Sequence, residues 1–597
     1  MKKLLVSTLL VIFFFATKTY SCTNFLITKG ATADGSVIVT YAADSHVLFG
    51  DLYYSPAADW PAGSKVDIYD WDTGKYLGQI DQVPHTYQVV GNMNEHQVII
   101  GETTYGGRSD LLHQKGAILD YGSMMYLALQ RAATAREAIR VMAELMKKYG
   151  YASEGESFSI ADKNEVWIME VIGKGNYEKG AVWVAVKIPD GYVCAHANQA
   201  RITTFKYQKV NRWNDPNATV FNSPDVISFA RKLGYKGPDK DFSFSDFYAP
   251  VNFEGARFCE MRVWSFFKSV NKQFAKDSAY FDYAKGHIEH AKYLPNGDPN
   301  LNHFATNRMP LYIKPDHKLT VHEVMNLMRD HLEGTPLDMS KDFGAQPYHL
   351  PYRWRPLVWH CCNKRYFNER VVATQQTGFS FVAQARNWLP DKIGGLFWFS
   401  VDDAANSVYV PIYVAIEHPP HSYAHGNGSM EQWSDDAAFW VFNQVSNLAY
   451  TRYDSIHPYI HKYQQQLENK FIAYTPAVDK AAMFLYKENP QLAYDFLTDY
   501  SVNMANSTVQ FWKKLYHFLF MKFKDGNIMK SRGMTILDNG NHKGIPKYPY
   551  QPGYSKEWYK TVVEKTGNKF LYPSGNSQQP PAQKPKNPKK QKKNNSH

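Results

Sequence analysis

The sequence predicts a layered α+β protein, and three observations carry that reading. Runs of strand-like alternation fall in groups separated by helical stretches, at 23–41, 97–101, 157–196 and 395–414. An amphipathic helix with its own start and stop signals lies between the first strands and the next group. From about residue 435 to 523 the pattern turns helical throughout. Strands joined to each other by short turns argue against a parallel doubly wound sheet, in which strands and helices alternate one for one.

The elements follow in order. Thr23-Asn24-Phe25-Leu26-Ile27-Thr28 alternates polar and apolar, Ala33-Asp34-Gly35-Ser36 supplies a turn, and 37–41 is a second strand. This hairpin starts at Cys22. A further strand is expected at 97–101. Thr134 and Glu137 have capping-box spacing, Ile139, Met142, Ala143 and Met146 share one helical face, and Gly150 stands near the stop. Strands at 157–161 and 165–172 flank Asp162-Lys163-Asn164, and 181–188 and 192–196 continue the sheet. Strands at 395–401 and 407–414 flank Asp402-Asp403. Tyr459, Tyr463, Leu467 and Phe471 recur every four residues, and Trp512, Leu515, Phe518 and Leu519 form another apolar face. The expected organisation is a leader at 1–21, a catalytic domain at 22–434, a helical C-terminal region at 435–573 packed on it, and a disordered basic tail at 574–597.

At 597 residues with 44% hydrophobic and 21% charged side chains, the chain has the composition of a globular protein with ample core. Its formal charge of +11 suggests nucleic acid until it is located. Eight of those charges are Lys2, Lys3, Lys584, Lys586, Lys589, Lys590, Lys592 and Lys593, so the body is close to neutral and offers no nucleic-acid face. Lys2 and Lys3, the apolar run 4–16 and the polar stretch ending at Ser21 form the three parts of a signal peptide. That apolar run falls short of the ~20 residues a membrane span needs. The protein is therefore expected to be exported: periplasmic, on the outer surface or secreted. Removal of residues 1–21 makes Cys22 the first residue. With five cysteines (Cys22, Cys194, Cys259, Cys361 and Cys362) at least one thiol stays unpaired, and adjacent Cys361 and Cys362 would strain to pair with each other.

Three familiar motifs fail on spacing. Gly173-Lys174-Gly175 with Gly180 is two places too long for a dinucleotide loop and lies between strands. Ser159 stands where a serine-hydrolase elbow at Ser157 needs glycine. His418, His421 and His425 sit among Pro419, Pro420, Gly426 and Gly428 without carboxylate spacing, so they read as loop, and no metal or cofactor is expected.

Cys22 has three readings: an ordinary cysteine beside a processing site, a lipidated N-terminus, or a nucleophile that carries its own base. In the last, the α-amine, with an ordinary pKa of about 7.7–8, accepts the thiol proton. Lipidation of the amine removes that base, so the two readings exclude each other. A lipidation signal also prefers an aliphatic residue where Thr19 stands.

Cys22-Thr23-Asn24-Phe25-Leu26-Ile27 followed by Lys29-Gly30-Ala31-Thr32-Ala33-Asp34-Gly35-Ser36 resembles the opening of the Cys-type N-terminal-nucleophile (Ntn) dipeptidases, the dipeptidase A and secernin relatives. The resemblance continues through Met93-Asn94-Glu95-His96, Gly101-Glu102-Thr103-Thr104, Asp120-Tyr121-Gly122, Thr134-Ala135-Arg136-Glu137-Ala138, Ala197-Asn198-Gln199-Ala200-Arg201-Ile202 and the segment from Trp398 to Tyr413. It implies an αββα four-layer sandwich and metal-free cleavage of dipeptides or short peptides through an acyl-enzyme on Cys22. By the same resemblance Asp44 holds the α-amine and Asn198 helps form the oxyanion hole. Thr103 or Thr104 contacts the oxyanion or substrate. Arg257 matches an arginine beside the nucleophile in the penicillin and bile-salt amidases, with Arg262 competing for that place. Such relatives usually carry Arg three residues before the acid, where this chain has Tyr41. The alternatives are an amidase of the penicillin or bile-salt type, or a surface lipoprotein that binds peptide or glycan.

Overall fold

The computed structural model describes residues 21–290, 304–352 and 356–573; the leader through residue 20 and the tail from 574 lie outside the described residues. The strands that build the site are β1 (Ser21–Ile27), β2 (Val37–Asp44), β3 (Ile99–Gly106), β4 (Gly155–Ala161), β5 (Val166–Gly173), β6 (Ala181–Lys187), β7 (Val193–His196), β8 (Thr377–Ala385), β9 (Gly395–Val401) and β10 (Val410–Tyr413). Two large sheets result. One has seven strands in the order Tyr312–Ile313, β7, β1, β2, β8, β9, β10. The other has eight, in the order Val220–Asn222, β6, β5, β4, β3, Met93–Asn94, Val89–Val90, Tyr54–Ser55. The labelled strands pair antiparallel throughout, so the α+β expectation holds.

The hairpin that begins at Cys22 forms because 33–36 turns the chain: the Asp34 carboxylate accepts the Ser36 N–H at 3.0 Å, and Gly35 takes a φ of +81° that a side chain would resist. The two sheets meet where β3 crosses β1 and β2. Asn24 Nδ2 donates to the Glu102 carbonyl at 2.6 Å. A Cβ at position 101 would collide with Asn24 Oδ1, so glycine there sets the sheet separation.

Two helices, α1 (Tyr121–Leu129) and α2 (Ala135–Tyr149), cover the eight-stranded sheet. Ile139, Met142 and Met146 of α2 bury fully against Phe158, Ile160, Trp167 and Met169, each contributing about 1.5–3 kcal/mol. At its start, Thr134 Oγ1 accepts the Glu137 N–H at 3.2 Å, but the Glu137 carboxylate takes the N–H of Ala133 instead of Thr134. The cap is therefore one-sided.

The seven-stranded sheet packs against α3 (Met261–Val270), where Phe266 stacks on Phe25 at 4.1 Å. Against its other end lie α4 (Ala438–Thr451), α5 (Tyr453–Glu488) and α6 (Pro490–Lys522). Asn489 and Pro490 separate the last two, the asparagine side chain capping Gln491 N–H at 3.0 Å. Buried polar contacts tie these helices to the sheet: Tyr409 N–H donates to Glu468 at 3.0 Å, Tyr413 N–H to Ser501 at 3.1 Å, and Arg386 pairs with Asp479 at 2.6 Å. The strand expected at 407–414 is shorter, Val410–Tyr413, because the Asp403 carboxylate caps a 3-10 turn at Ala404–Asn406. The chain divides by contacts into residues 1–550 and 551–597, and helices α4 to α6 belong to the first unit with the sheets. The second unit contains the helix Lys556–Thr566, capped by Ser555.

Candidate functional site

Cys22 is the second residue of β1, opposite Ala43 of β2, with Ser21 opposite Asp44. Its backbone N–H donates to Asn198 Oδ1 at 2.9 Å. Asn198 lies just past the end of β7 with φ +64°, a conformation asparagine tolerates better than most residues. Its Nδ2 donates to the Thr104 carbonyl at 2.7 Å, which connects the two sheets.

Arg262 of α3 is fully buried and fixes this arrangement. It donates to the carbonyls of Cys22 (2.6 Å), Ala197 (3.0 Å) and Phe258 (2.9 Å), to Thr23 Oγ1 (2.8 Å) and to Asn198 Oδ1 (2.8 Å). Five bonds occupy all five guanidinium N–H groups. Burial lowers its pKa to about 10, so it remains a cation at neutral pH. Arg257, one turn earlier, pairs instead with Glu369 at 3.1 and 2.5 Å. The arginine that touches the nucleophile candidate is thus Arg262, and the position first matched at Arg257 is displaced. The π turn at Gly255–Glu260, which contains Arg257 and runs into α3, is an irregularity that hydrophobic periodicity does not register.

The thiol faces Glu102 Oε1 at 3.7 Å and the Tyr41 hydroxyl at 3.8 Å, and that hydroxyl in turn donates to Glu102 Oε1. Burial, then the charges of Glu102 and Asp44, push the thiol pKa well up; a backbone hydrogen bond from Asp44 and the Tyr41 hydroxyl act the other way. Asp44 is buried and accepts the Thr377 hydroxyl at 2.6 Å.

Strand alternation separates the two candidate threonines. Thr103 shares a 2.7 Å hydrogen bond with His196 Nδ1, and that ring's Nε2 meets Ser159 at 2.7 Å; burial holds the imidazole neutral, its pKa lowered to about 3. Thr104 shares the face of Glu102, lines the cavity beside Cys22, and donates to Glu156 Oε1 at 2.7 Å. Because Glu156 opposes Thr104 in the ladder, its carboxyl meets that of Glu102 diagonally. Burial pushes the Glu102 pKa up to about 7; burial and Glu102 together push that of Glu156 well above the carboxylate range.

The cavity measures about 110 Å³, room for about four waters at roughly 30 Å³ each. Tyr41, Trp71, Tyr121, Tyr126 and Phe379 wall it, Asp44, Asp72 and Glu102 supply its charge, and no lysine or arginine is among its described lining residues. A larger cavity of about 530 Å³, lined by His317, His331, His457 and His461, holds none of these groups. His425 of the histidine loop pairs with Asp51 at 2.7 Å.

Sequence reasoning assigned no role to Glu102, Glu156 or Thr377. A glutamate within each of two apolar strands, and an arginine within Met261-Arg262-Val263-Trp264, were the available signals, since such charges are rarely buried without a partner.

Comparison with known proteins adds an independent line. The profile of Peptidase family C69 matches residues 54–466, a stretch that begins after Cys22 and Asp44. A probable dipeptidase of Salmonella dublin is 25% identical over 425 residues, covering 67% of this chain and 82% of that protein. A probable dipeptidase of Latilactobacillus sakei is 22% identical over 501 residues (80% and 90%). A probable dipeptidase B of Streptococcus pyogenes serotype M1 is 23% identical over 522 residues (84% and 93%).

Proposed function

Because the chain belongs to Peptidase family C69, we propose that it is an exported dipeptidase whose nucleophile is Cys22, set in an Ntn αββα sandwich and exposed as the N-terminus when residues 1–21 are removed. The observation that carries the proposal lies within one residue. The Cys22 nitrogen is held by Asn198 while the thiol of the same residue lines a cavity.

Cleavage of the Ser21–Cys22 bond turns that nitrogen into an α-amine. The amine takes the thiol proton, Asp44 steadies the resulting ammonium, and sulfur attacks the peptide carbonyl. The oxygen then gains negative charge near Asn198, whose Nδ2 has a second N–H besides the one bound to Thr104. The ammonium returns its proton to the leaving amine, and water hydrolyses the thioester. Arg262 acts through Cys22 and Asn198 as a positioning residue.

Dipeptides are the favoured substrates because the cavity accommodates one small residue and because the similar proteins carry dipeptidase names. The buried thiol, 5% exposed, also argues against an acylated lipoprotein terminus. The test is intact mass and N-terminal sequencing of the mature protein, with dipeptide hydrolysis by wild type and Cys22→Ala. A free Cys22 and an inactive, folded variant support the proposal. A diacylglyceryl adduct, or full activity in Cys22→Ala, overturns it.

A further inference from the structure

We propose that Glu102 is the specificity-determining residue of this site: its carboxylate takes the free α-ammonium of the substrate's amino-terminal residue and thereby sets the first peptide carbonyl over Cys22. This rests on the reading of Cys22 as nucleophile and adds the substrate's chemistry to it.

Three independent observations point the same way. Glu102 is 1% exposed and lines the cavity; Oε1 receives the Tyr41 hydroxyl and faces the thiol, while Oε2 has no donor beyond the carboxyl of Glu156. Two carboxyls in contact do not both ionise readily, so Glu156 keeps its proton and Glu102 is the member that ionises, with a pKa pushed up to about 7. No lysine or arginine is among the described lining residues, and Asp72 adds to that charge, whereas Asp44 lies within the field of the Arg262 cation. A substrate carboxylate is repelled from such a cavity and an ammonium is drawn in. The walls of Tyr41, Tyr121, Tyr126 and Trp71 suit a cation as well.

Distance then selects which ammonium. Glu102 Oε1 lies 3.7 Å from the sulfur. In an α-amino acyl group the nitrogen is about 2.5 Å from the carbonyl carbon, two bonds away. A nitrogen about 2.8 Å from the carboxylate can thus place the carbon within about 3–3.5 Å of sulfur, an attacking distance. The ammonium of a lysine side chain, four bonds further out, would carry the carbonyl beyond the thiol. An acetylated nitrogen has no charge and adds atoms to a cavity of about 110 Å³.

The experiment compares L-alanyl-L-alanine, its N-acetyl derivative and propionyl-L-alanine, which lacks only the amino group, on the mature enzyme and on Glu102→Gln. Wild type is expected to lose roughly 10- to 150-fold in kcat/KM on losing the ammonium, the range of one charged hydrogen bond. In Glu102→Gln the kcat/KM ratio of alanyl-alanine to propionyl-alanine should fall toward one, while the loss of its charge beside the thiol shifts both substrates alike. Equal cleavage of the two by wild type, or an unchanged ratio in Glu102→Gln, overturns the proposal. Calorimetric binding of the same two ligands to Cys22→Ala reads recognition without turnover: preference for alanyl-alanine supports it, and equal binding refutes it even if Glu102→Gln does not fold. Should Cys22→Ala still hydrolyse dipeptides, the nucleophile assignment fails separately, and the ligand preference still decides the role of Glu102.

Discussion

Arg262 and Cys22 share one oxygen: Asn198 Oδ1 accepts the Cys22 backbone N–H at 2.9 Å and the Arg262 guanidinium at 2.8 Å. The arginine also holds the Cys22 carbonyl, so both peptide groups of the nucleophile candidate depend on one buried side chain.

Arg262→Ala should therefore lower both stability and turnover. It leaves the carbonyls of Cys22 and Ala197 without their donor, at about 1–3 kcal/mol for each unsatisfied group. Urea unfolding should show a loss of about 3–5 kcal/mol. Arg262→Lys, with three donors in place of five, should recover only part of it. A variant of wild-type stability would mean that these bonds carry no net energy.

Asn198→Ala costs about 1–2 kcal/mol for alanine at φ +64°, and about 1–3 kcal/mol more for each of the Cys22 N–H and the Thr104 carbonyl it leaves without a partner. Its kcat should fall by about 10²–10³-fold, as for loss of an oxyanion donor. If KM rises while kcat stays put, the amide binds substrate without serving the transition state.

Tyr41→Phe removes a hydrogen bond that holds the Glu102 pKa down against burial. The pH limb governed by Glu102, near 7 in the intact protein, should move to higher pH. Steady-state profiles of kcat/KM with alanyl-alanine test this; a limb that stays in place separates the two groups.

Stability should also report Glu102. Its folded pKa of about 7 lies above the ordinary 4.5, so the folded state holds a proton that the unfolded chain releases. The associated stability is fully present below about pH 4.5 and is lost as pH rises through about 7. Glu170 and Asp402, also raised to about 7 by burial, act in the same direction. Glu102→Gln should lose less stability than wild type between pH 4.5 and 7.5 in urea titrations. Parallel curves would contradict the raised pKa.

Gly101→Ala should be disproportionately harmful for one methyl group. The added carbon collides with Asn24 Oδ1, and relieving it moves β3 away from β1. A loss of about 1–3 kcal/mol is expected by thermal or chemical unfolding, with reduced dipeptide hydrolysis. Unaltered kinetics would mean that the sheet spacing tolerates the shift.

Much of the frame was legible because it is local. The strand at Gly395–Val401 follows from its own residues, and so do the turn at Gly35 and the helix between Thr134 and Gly150. The residues around Cys22 were legible in a different way. Asp44 and Asn198 came from resemblance, and the structure brings both to the Cys22 cluster. What sequence did not provide was pairing between residues far apart in the chain. Glu102 meets Tyr41 because two sheets face each other, and Glu156 meets Glu102 because of ladder register. The choice between Arg257 and Arg262 turns on one π turn, which leaves no periodic trace.

The close crossing at Gly101 has a consequence for how such a protein can diversify. Cys22, Asp44 and the Asn198 loop hang from the seven-stranded sheet, whereas Glu102, Thr104 and Glu156 hang from the eight-stranded one. Reactivity and selectivity are thus written on separate surfaces that touch along a seam. Substitutions on the second surface can retune which molecules are accepted while the first keeps its machinery, provided position 101 keeps the two in register.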